Sequence, residues 1–450
     1  MNKSTKSTNK KLMLYTFSFI IIFLIGSLLI YLYLNNKANY SPHDNMPSSK
    51  SNWIEDIDYL QTTLAKKHKN VYHTLTKEEY NEKFNKLREE LPNLNDNEIK
   101  IKLSQIVASV GDAHTAIKLG FNKDKLYPIS FYWFGEDIRV SKINKDNENY
   151  LGYKLHSIND FPINDVISKI NSLISHENDQ WLKVMNTKYL TLPDVLSSLE
   201  ISTKDEVKFT LINDDGCTLD LNLTPSINIL EDNIISLAEL MHTKPIKLQN
   251  ISEEPYANLY WYKYIEEENT LYFQYNACID KTVAKRYGYE DYKSYPKFDE
   301  FSKELIAAIN NNKIDKFIID LRNNTGGDSS LMTKLAEKLS NIETFKKSDN
   351  IFVLIGRETF SSGVFACIDL KNCLSPIFIG EPTGGNVNGY GDIKIITLPN
   401  SKLQVSYSTK LFTLSDMYDS NFIPNVNVEQ SFDNYIKGID DVYEAVKNYK

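Results

Sequence analysis

Four stretches of this chain combine residue types and spacings that could carry acyl chemistry. Ile351 to Asn372 reads IFVLIGRETFSSGVFACIDLKN. Its apolar run predicts a buried strand, a short polar turn, and Ser361 and Ser362 at the start of an apolar helix. A serine there can be held ready as a nucleophile, and the helix N-terminus offers donors to an oxyanion. Serine is equally a favoured N-cap, so the same residues also read as plain helix capping. Lys316 to Asp328 reads KFIIDLRNNTGGD, a buried strand followed by a turn. Gly326 and Gly327 there would let backbone N–H groups approach a ligand closely, or would simply serve a strand-to-helix turn. Val110 to Thr115 reads VGDAHT and sets His114 in a turn at the end of an amphipathic helix, where it is a proton carrier or a structural histidine. Ile379 to Gly391 reads IGEPTGGNVNGYG. It is glycine-rich but matches no phosphate-cradling pattern. The HExxH and GxSxG motifs do not occur. No metal or cofactor is expected.

The elements that must position these residues follow from periodicity. Trp53, Ile54, Ile57, Leu60 and Leu64, then Tyr80, Phe84, Leu87 and Leu91, recur at helical spacing, and Asn95 with Glu98 caps a third helix running to Val110. From about Tyr127 the runs ISFYWF, IRVSKI and YKLHSI read as strands. Ile163–Ile174 reads as a helix, and Val207–Ile212 with Leu219–Leu223 as a hairpin turning on Asp214, Asp215 and Gly216. From about Asn269 strands and helices alternate (LYFQYN, Phe298–Asn310, FIIDL, Ser330–Leu339, IFVLIG, Ser362–Leu370, IFIG), which predicts α/β units around a largely buried sheet.

Composition narrows the function classes. The chain has 450 residues, 51 Lys and Arg against 59 Asp and Glu, and a net charge of −8. That balance argues against a general nucleic-acid binder. The four cysteines form no CxxC pair and give no zinc framework; Cys367 and Cys373 are near enough in sequence for a disulfide without requiring one. Leu12 to Leu34 carries no charge and as a helix would extend about 35 Å, enough to span a bilayer. Lys3, Lys6, Lys10 and Lys11 precede it and only Lys37 follows closely. A single-pass anchor with a cytoplasmic N-terminus is therefore expected, the remainder lying outside the cell membrane. The expected organisation is a stub at 1–11, an anchor at 12–34, a polar tether at 35–51, a helical part at 52–120 carrying His114, a β-rich part at 121–230 and an α/β core at 231–450.

In series, GDAHT at 111–115, IIDLRNNTGG at 318–327, TFSSG at 359–363 and GEPTGG at 380–385 resemble the tail-specific (C-terminal processing, tricorn-like) serine peptidase family over roughly residues 55–430. The resemblance implies a crotonase/ClpP-like α/β protease core, an N-terminal helical subdomain and a PDZ-like domain, with LGYKLHSINDFP at 151–162 matching a PDZ strand and turn. It implies a serine endopeptidase acting on peptides or unfolded chains. Ser361 aligns with the nucleophile, with Ser362 the second choice. The oxyanion donors would be the N–H groups of Ser362 and of Gly326 or Gly327. Val364 stands where the family has a glutamate. Asn386 stands where the bacterial branch carries its lysine base, so the resemblance favours the tricorn-like branch and a Ser–His mechanism through His114. Ala113 replaces that branch's polar residue. Its late acid aligns best with Asp419, then Asp416. These departures keep a second reading in view, an inactive relative that binds peptides or other ligands. A third is a crotonase-like acyl-transfer enzyme, for which no nucleotide-binding pattern is visible.

Overall fold

The structure, a computed structural model, describes residues 49–122, 125–203, 205–227, 234–236, 256–345 and 350–449. The expected stub and anchor at 1–34, and the tether up to residue 48, lie outside the described residues. Among the described residues no helix is long and apolar enough to cross a membrane. The protein is mixed α/β with several sheets, and the chain divides into two compact units. The first gathers the described residues of 241–387 and 414–450; the second gathers those of 39–240 and 388–413.

The first unit is built on a six-stranded sheet. Strands Thr270–Tyr275, Lys316–Asp320, Ile351–Ile355, Ile377–Gly380 and Val426–Asn427 run parallel, and Tyr260–Ile265 adds an antiparallel edge. The apolar runs seen in the sequence are buried on both faces, as a parallel sheet requires. Phe317, Ile319, Val353 and Ile355 face one core with the helix residues Leu335, Leu339, Val364 and Cys367. Their neighbours Ile318, Phe352 and Leu354 face the other, with Val442, Tyr443 and Val446 of the last helix, Asp441–Asn448. The strict alternation is the period-2 geometry of extended chain. Cys367 and Cys373 are both free thiols.

Three helices of the second unit, Lys50–Lys67, Lys77–Glu90 and Asp96–Ala108, match the expected helical stretch. The second and third open with capping boxes, Thr76 with Glu79 and Asn95 with Glu98. Their apolar stripes, among them Trp53, Ile57, Phe84 and Leu103, pack against Ile396, Leu403 and Val405. Ile396 and Val405 belong to a three-stranded sheet of Ala116–Ile117, Gln404–Phe412 and Gly389–Thr397, and Leu403 lies just before its second strand. The β-rich stretch forms a separate sheet in the order Ile129–Phe134, Asp137–Asn144, Lys154–Ile158, Val207–Ile212, Thr218–Leu223. In it Asn159 and Asp160 take positive φ (46° and 42°) and fold Ile158 onto Phe161, the primed turn that matches strand twist. Helix Ile163–Asn171 buries Val166 and Ile170. Reading by periodicity missed helix Asp179–Tyr189 and the edge strand Tyr260–Ile265.

Candidate active site

In the first unit Ser361 sits between strand Ile351–Ile355 and the 13-residue helix Ser362–Leu374. It is the helix N-cap and its backbone is φ 50°, ψ −124°. A non-glycine residue at positive φ costs of order 1–3 kcal/mol and persists only where the surroundings enforce it. The enforcing contacts are visible. Thr359 donates its hydroxyl to the Leu321 carbonyl at 2.9 Å, and the Phe360 amide donates to the Asn324 carbonyl at 2.9 Å. From the other side the Gly385 amide donates to the Thr359 carbonyl. The Ser362 hydroxyl donates to the Gly327 carbonyl at 2.7 Å, so that side chain already serves the loop. Ser361 is half-buried and Ser362 buried.

The glycine loop is shaped around Ser361. Gly326 and Gly327 have φ of 109° and 132°. A Cβ added to Gly326 would lie 2.8 Å from the Ser361 Cβ and 2.9 Å from the Ser362 nitrogen. The missing side chain therefore lets the glycine loop pack directly against the serine and the first amide of the helix. A Cβ on Gly327 would lie 2.3 Å from the Cys278 carbonyl oxygen. The Gly326 amide donates within the loop to Asn324 Oδ1 at 2.9 Å, while Asn324 Nδ2 donates to the Tyr275 carbonyl. Neither the Gly327 nor the Ser362 amide has a hydrogen-bond partner among the described residues. The strand end before the loop is fixed by Arg322, whose guanidinium is buried between Asp320 and Asp440 at 2.7 and 2.8 Å. Val364, where the family pattern has glutamate, is buried in the apolar core.

His114 belongs to the second unit. Gly111, at φ 76° and packed on Thr74, ends the third helix and turns the chain so that Asp112 points inward. Asp112 is fully buried. Its Oδ1 accepts the His114 amide at 2.9 Å, and its Oδ2 accepts the Thr115 hydroxyl at 2.5 Å and contacts His68 Nε2 at 3.0 Å. The Asn70 amide donates to His68 Nδ1, which makes Nε2 the protonated nitrogen and fixes His68 as a donor to Asp112. His114 Nδ1 stands 3.6 Å from Asp112 Oδ1. Burial presses His114 toward the neutral form, but Asp112, Glu177 and the Tyr390 backbone outweigh it and hold the imidazole above its ordinary value. Burial pushes the Asp112 carboxyl up, yet hydrogen bonds from His114 and His68 and the imidazole charge hold it well below the usual carboxylate range.

Asp112, His114 and Glu177 bring ligand atoms within 4.8 Å of one another, a donor set that a divalent cation accepts. Binding a cation there would strip Asp112 of donors it already satisfies, which favours reading the trio as two acids around an imidazole. Asp419 and Asp416 lie in the first unit. Both are exposed, and among the described residues neither forms a side-chain hydrogen bond or ion pair. The structure thus brings Ser361, Ser362, Gly326 and Gly327 together in one unit and surrounds His114 with acids in the other. Sequence reading passed over Asp112 and Glu177. An Asp two residues before His and three before Thr was a usable signal for a side-chain-capped turn; Glu177 had none.

No family model and no curated protein matches this chain. Solved structures do. Mature CPAF aligns with a TM-score of 0.63 at 14% identity, over 88% of this chain and 96% of that one. Mature CPAF complexed with lactacystin aligns at 0.62 and 12% identity, over 88% and 97%. The fold is that of mature CPAF. Structural neighbours of the chain are tail-specific serine proteases, as the motif series led us to expect. They include the photosystem II D1 C-terminal processing protease, which at a TM-score of 0.39, 12% identity and coverage of 85% and 93% has no weight in the fold assignment.

Proposed function

We propose that the chain is a serine endopeptidase that cleaves peptides or unfolded proteins through an acyl-enzyme on Ser361, with His114 as general base and acid. The observation that carries this reading is the strained Ser361 backbone at a helix N-terminus, packed against a glycine loop that comes closer than any side chain at 326 would allow. Ser361 Oγ would bond to the scissile carbonyl carbon as its proton passes to His114. The resulting oxyanion would accept from the Ser362 and Gly327 amides. Collapse would break the C–N bond, with His114 returning the proton to the amine. Water would then repeat the sequence on the ester. A fluorophosphonate probe should label the protein once, on Ser361. Label retained in Ser361→Ala would sink the nucleophile assignment. An unlabelled protein that binds peptides would instead be an inactive relative.

The histidine environment fixes the sign of the pH response. Hydrolysis needs neutral His114, so kcat/KM should fall below an acid limb lying above about pH 6.5. Stability runs the other way. A raised histidine contributes below its unfolded value near 6.5 and loses that contribution as pH rises through its folded value. Depressed Asp112 contributes above its unfolded value near 3.8 and loses that contribution on further acidification. Raising pH from 6 to 8 should therefore increase kcat/KM and lower the thermal midpoint together; a flat kcat/KM over that window would contradict the base assignment.

Residues 12–34 are proposed as an uncleaved anchor holding the enzyme outside the cytoplasm, on the strength of their length, apolarity and flanking lysines. Alkaline carbonate extraction should leave the chain in the membrane pellet, and release into the supernatant would refute the anchor. The sheet of residues 129–223 is proposed as a PDZ-like module taking a peptide by strand addition.

A further inference from the structure

We propose that Asp112 is the carboxylate that positions His114, and that His68 in turn holds Asp112, forming a buried His68–Asp112–His114 chain. The proposal rests on the peptidase reading for its catalytic meaning, but its geometry lies wholly within the second unit. Asp112 reaches His114 twice, by the backbone hydrogen bond at 2.9 Å and by the carboxylate 3.6 Å from Nδ1. The second distance exceeds a hydrogen bond, yet lies well inside the range over which an anion stabilises imidazolium.

Each partner of Asp112 fixes it in one orientation. His68 caps the first helix, with its amide on the Leu64 carbonyl, and presents Nε2–H to Oδ2. Thr115 donates to the same oxygen, and its own Oγ1 accepts the Ser408 amide at 3.3 Å from strand Gln404–Phe412. Ser175 donates to the Thr115 carbonyl at 2.6 Å, which ties in the segment carrying Glu177. The first helix, the strand and the Ser175 segment therefore converge on one carboxylate. The groups facing His114 are Asp112, Glu177 and the Tyr390 carbonyl; His68 and Thr115 face Asp112. Tyr390 also packs its ring against His68 and His73, at 5.2 and 4.3 Å between centroids.

Asp112 is thus a positioning residue. An orienting carboxylate sets the imidazole tautomer and stabilises the imidazolium that forms when the serine proton arrives, and exchanging it for an amide can cost about 10⁴ in kcat.

The test uses the full-length chain in detergent with histidines labelled at Cε1, and His114 assigned by His114→Gln. In the wild type the His114 resonance should titrate above about pH 6.5. Asp112→Asn should lower that midpoint by about one pH unit or more and reduce kcat by about 10²–10⁴-fold with KM little changed. His68→Gln, which keeps a donor near Nε2, should retain more activity than His68→Leu. A His114 midpoint at or below 6.5 in the wild type overturns the proposal, as does a midpoint or kcat unmoved in folded Asp112→Asn. If Asp112→Asn does not fold, the wild-type titration and the His68 pair still decide. If the wild type cleaves no peptide, the peptidase reading fails, while the His114 titration tests the positioning claim separately.

Discussion

Ser361→Ala should lower kcat by about 10⁶-fold while leaving the fold and peptide binding intact. The residual rate would be that of bound substrate beside the remaining donors. Loss of the hydroxyl removes the proposed acyl carrier, and no neighbouring side chain should rescue it. Ser362 is the natural rival, but its hydroxyl donates to the Gly327 carbonyl, and drawing it away would break a contact that holds the glycine loop. Ser362→Ala should accordingly act mainly on stability. Steady-state kinetics with an unfolded protein substrate would separate the two. The assignment fails if Ser362→Ala loses activity as Ser361→Ala does while staying folded.

Gly326→Ala should lower kcat by about 10²–10³-fold or more, the loss seen when one oxyanion donor is removed. The added methyl would fall 2.8 Å from the Ser361 Cβ and 2.9 Å from the Ser362 nitrogen, too close to be accommodated without moving the loop. It would push the glycine loop away from the serine and the Ser362 amide and strain a backbone at φ 109°. Gly327→Ala differs in kind. Its methyl would strike the Cys278 carbonyl at 2.3 Å, a backbone atom that cannot swing aside, so the main loss should be in folding. Thermal unfolding beside kcat distinguishes them. Full activity in Gly326→Ala would mean that the close packing of the glycine loop on Ser361 is not needed for catalysis.

What the sequence disclosed, and what it concealed, follows from the range of the interactions. FIIDL, IFVLIG and IFIG were legible because parallel strands are apolar on both faces, and the Asn95–Glu98 capping box because its partners are three residues apart. The hairpin turning at Gly216 was legible for the same reason. The pairing of Ala116–Ile117 with Ser406 and Val405 was not, since nothing local in a two-residue strand names a partner almost three hundred positions away. Ser361 could be singled out by its place before an apolar helix, but its strained backbone arises from Asn324, Leu321 and Gly385, which are remote in sequence. For His114 the acid was sought downstream, at Asp419 and Asp416, and the buried state of Asp112, two residues before it, was not legible. Burial, which only the fold supplies, is what separates a solvated aspartate from one that can tune an imidazole.

The second unit is completed only by residues 388–413, whose strands lie against helices made at the very start of the described chain. A ribosome releases the chain from its N-terminus, so those helices emerge long before the strands that cover their apolar stripe. During that interval Trp53, Ile57 and Phe84 must stay exposed or be covered by something else. Synthesis thus has a waiting period built into it, one in which the nascent chain depends on a chaperone or on its own temporary contacts. A shortened chain ending before residue 388 should remain in that waiting state, insoluble or protease-sensitive, despite containing His114 and its acids.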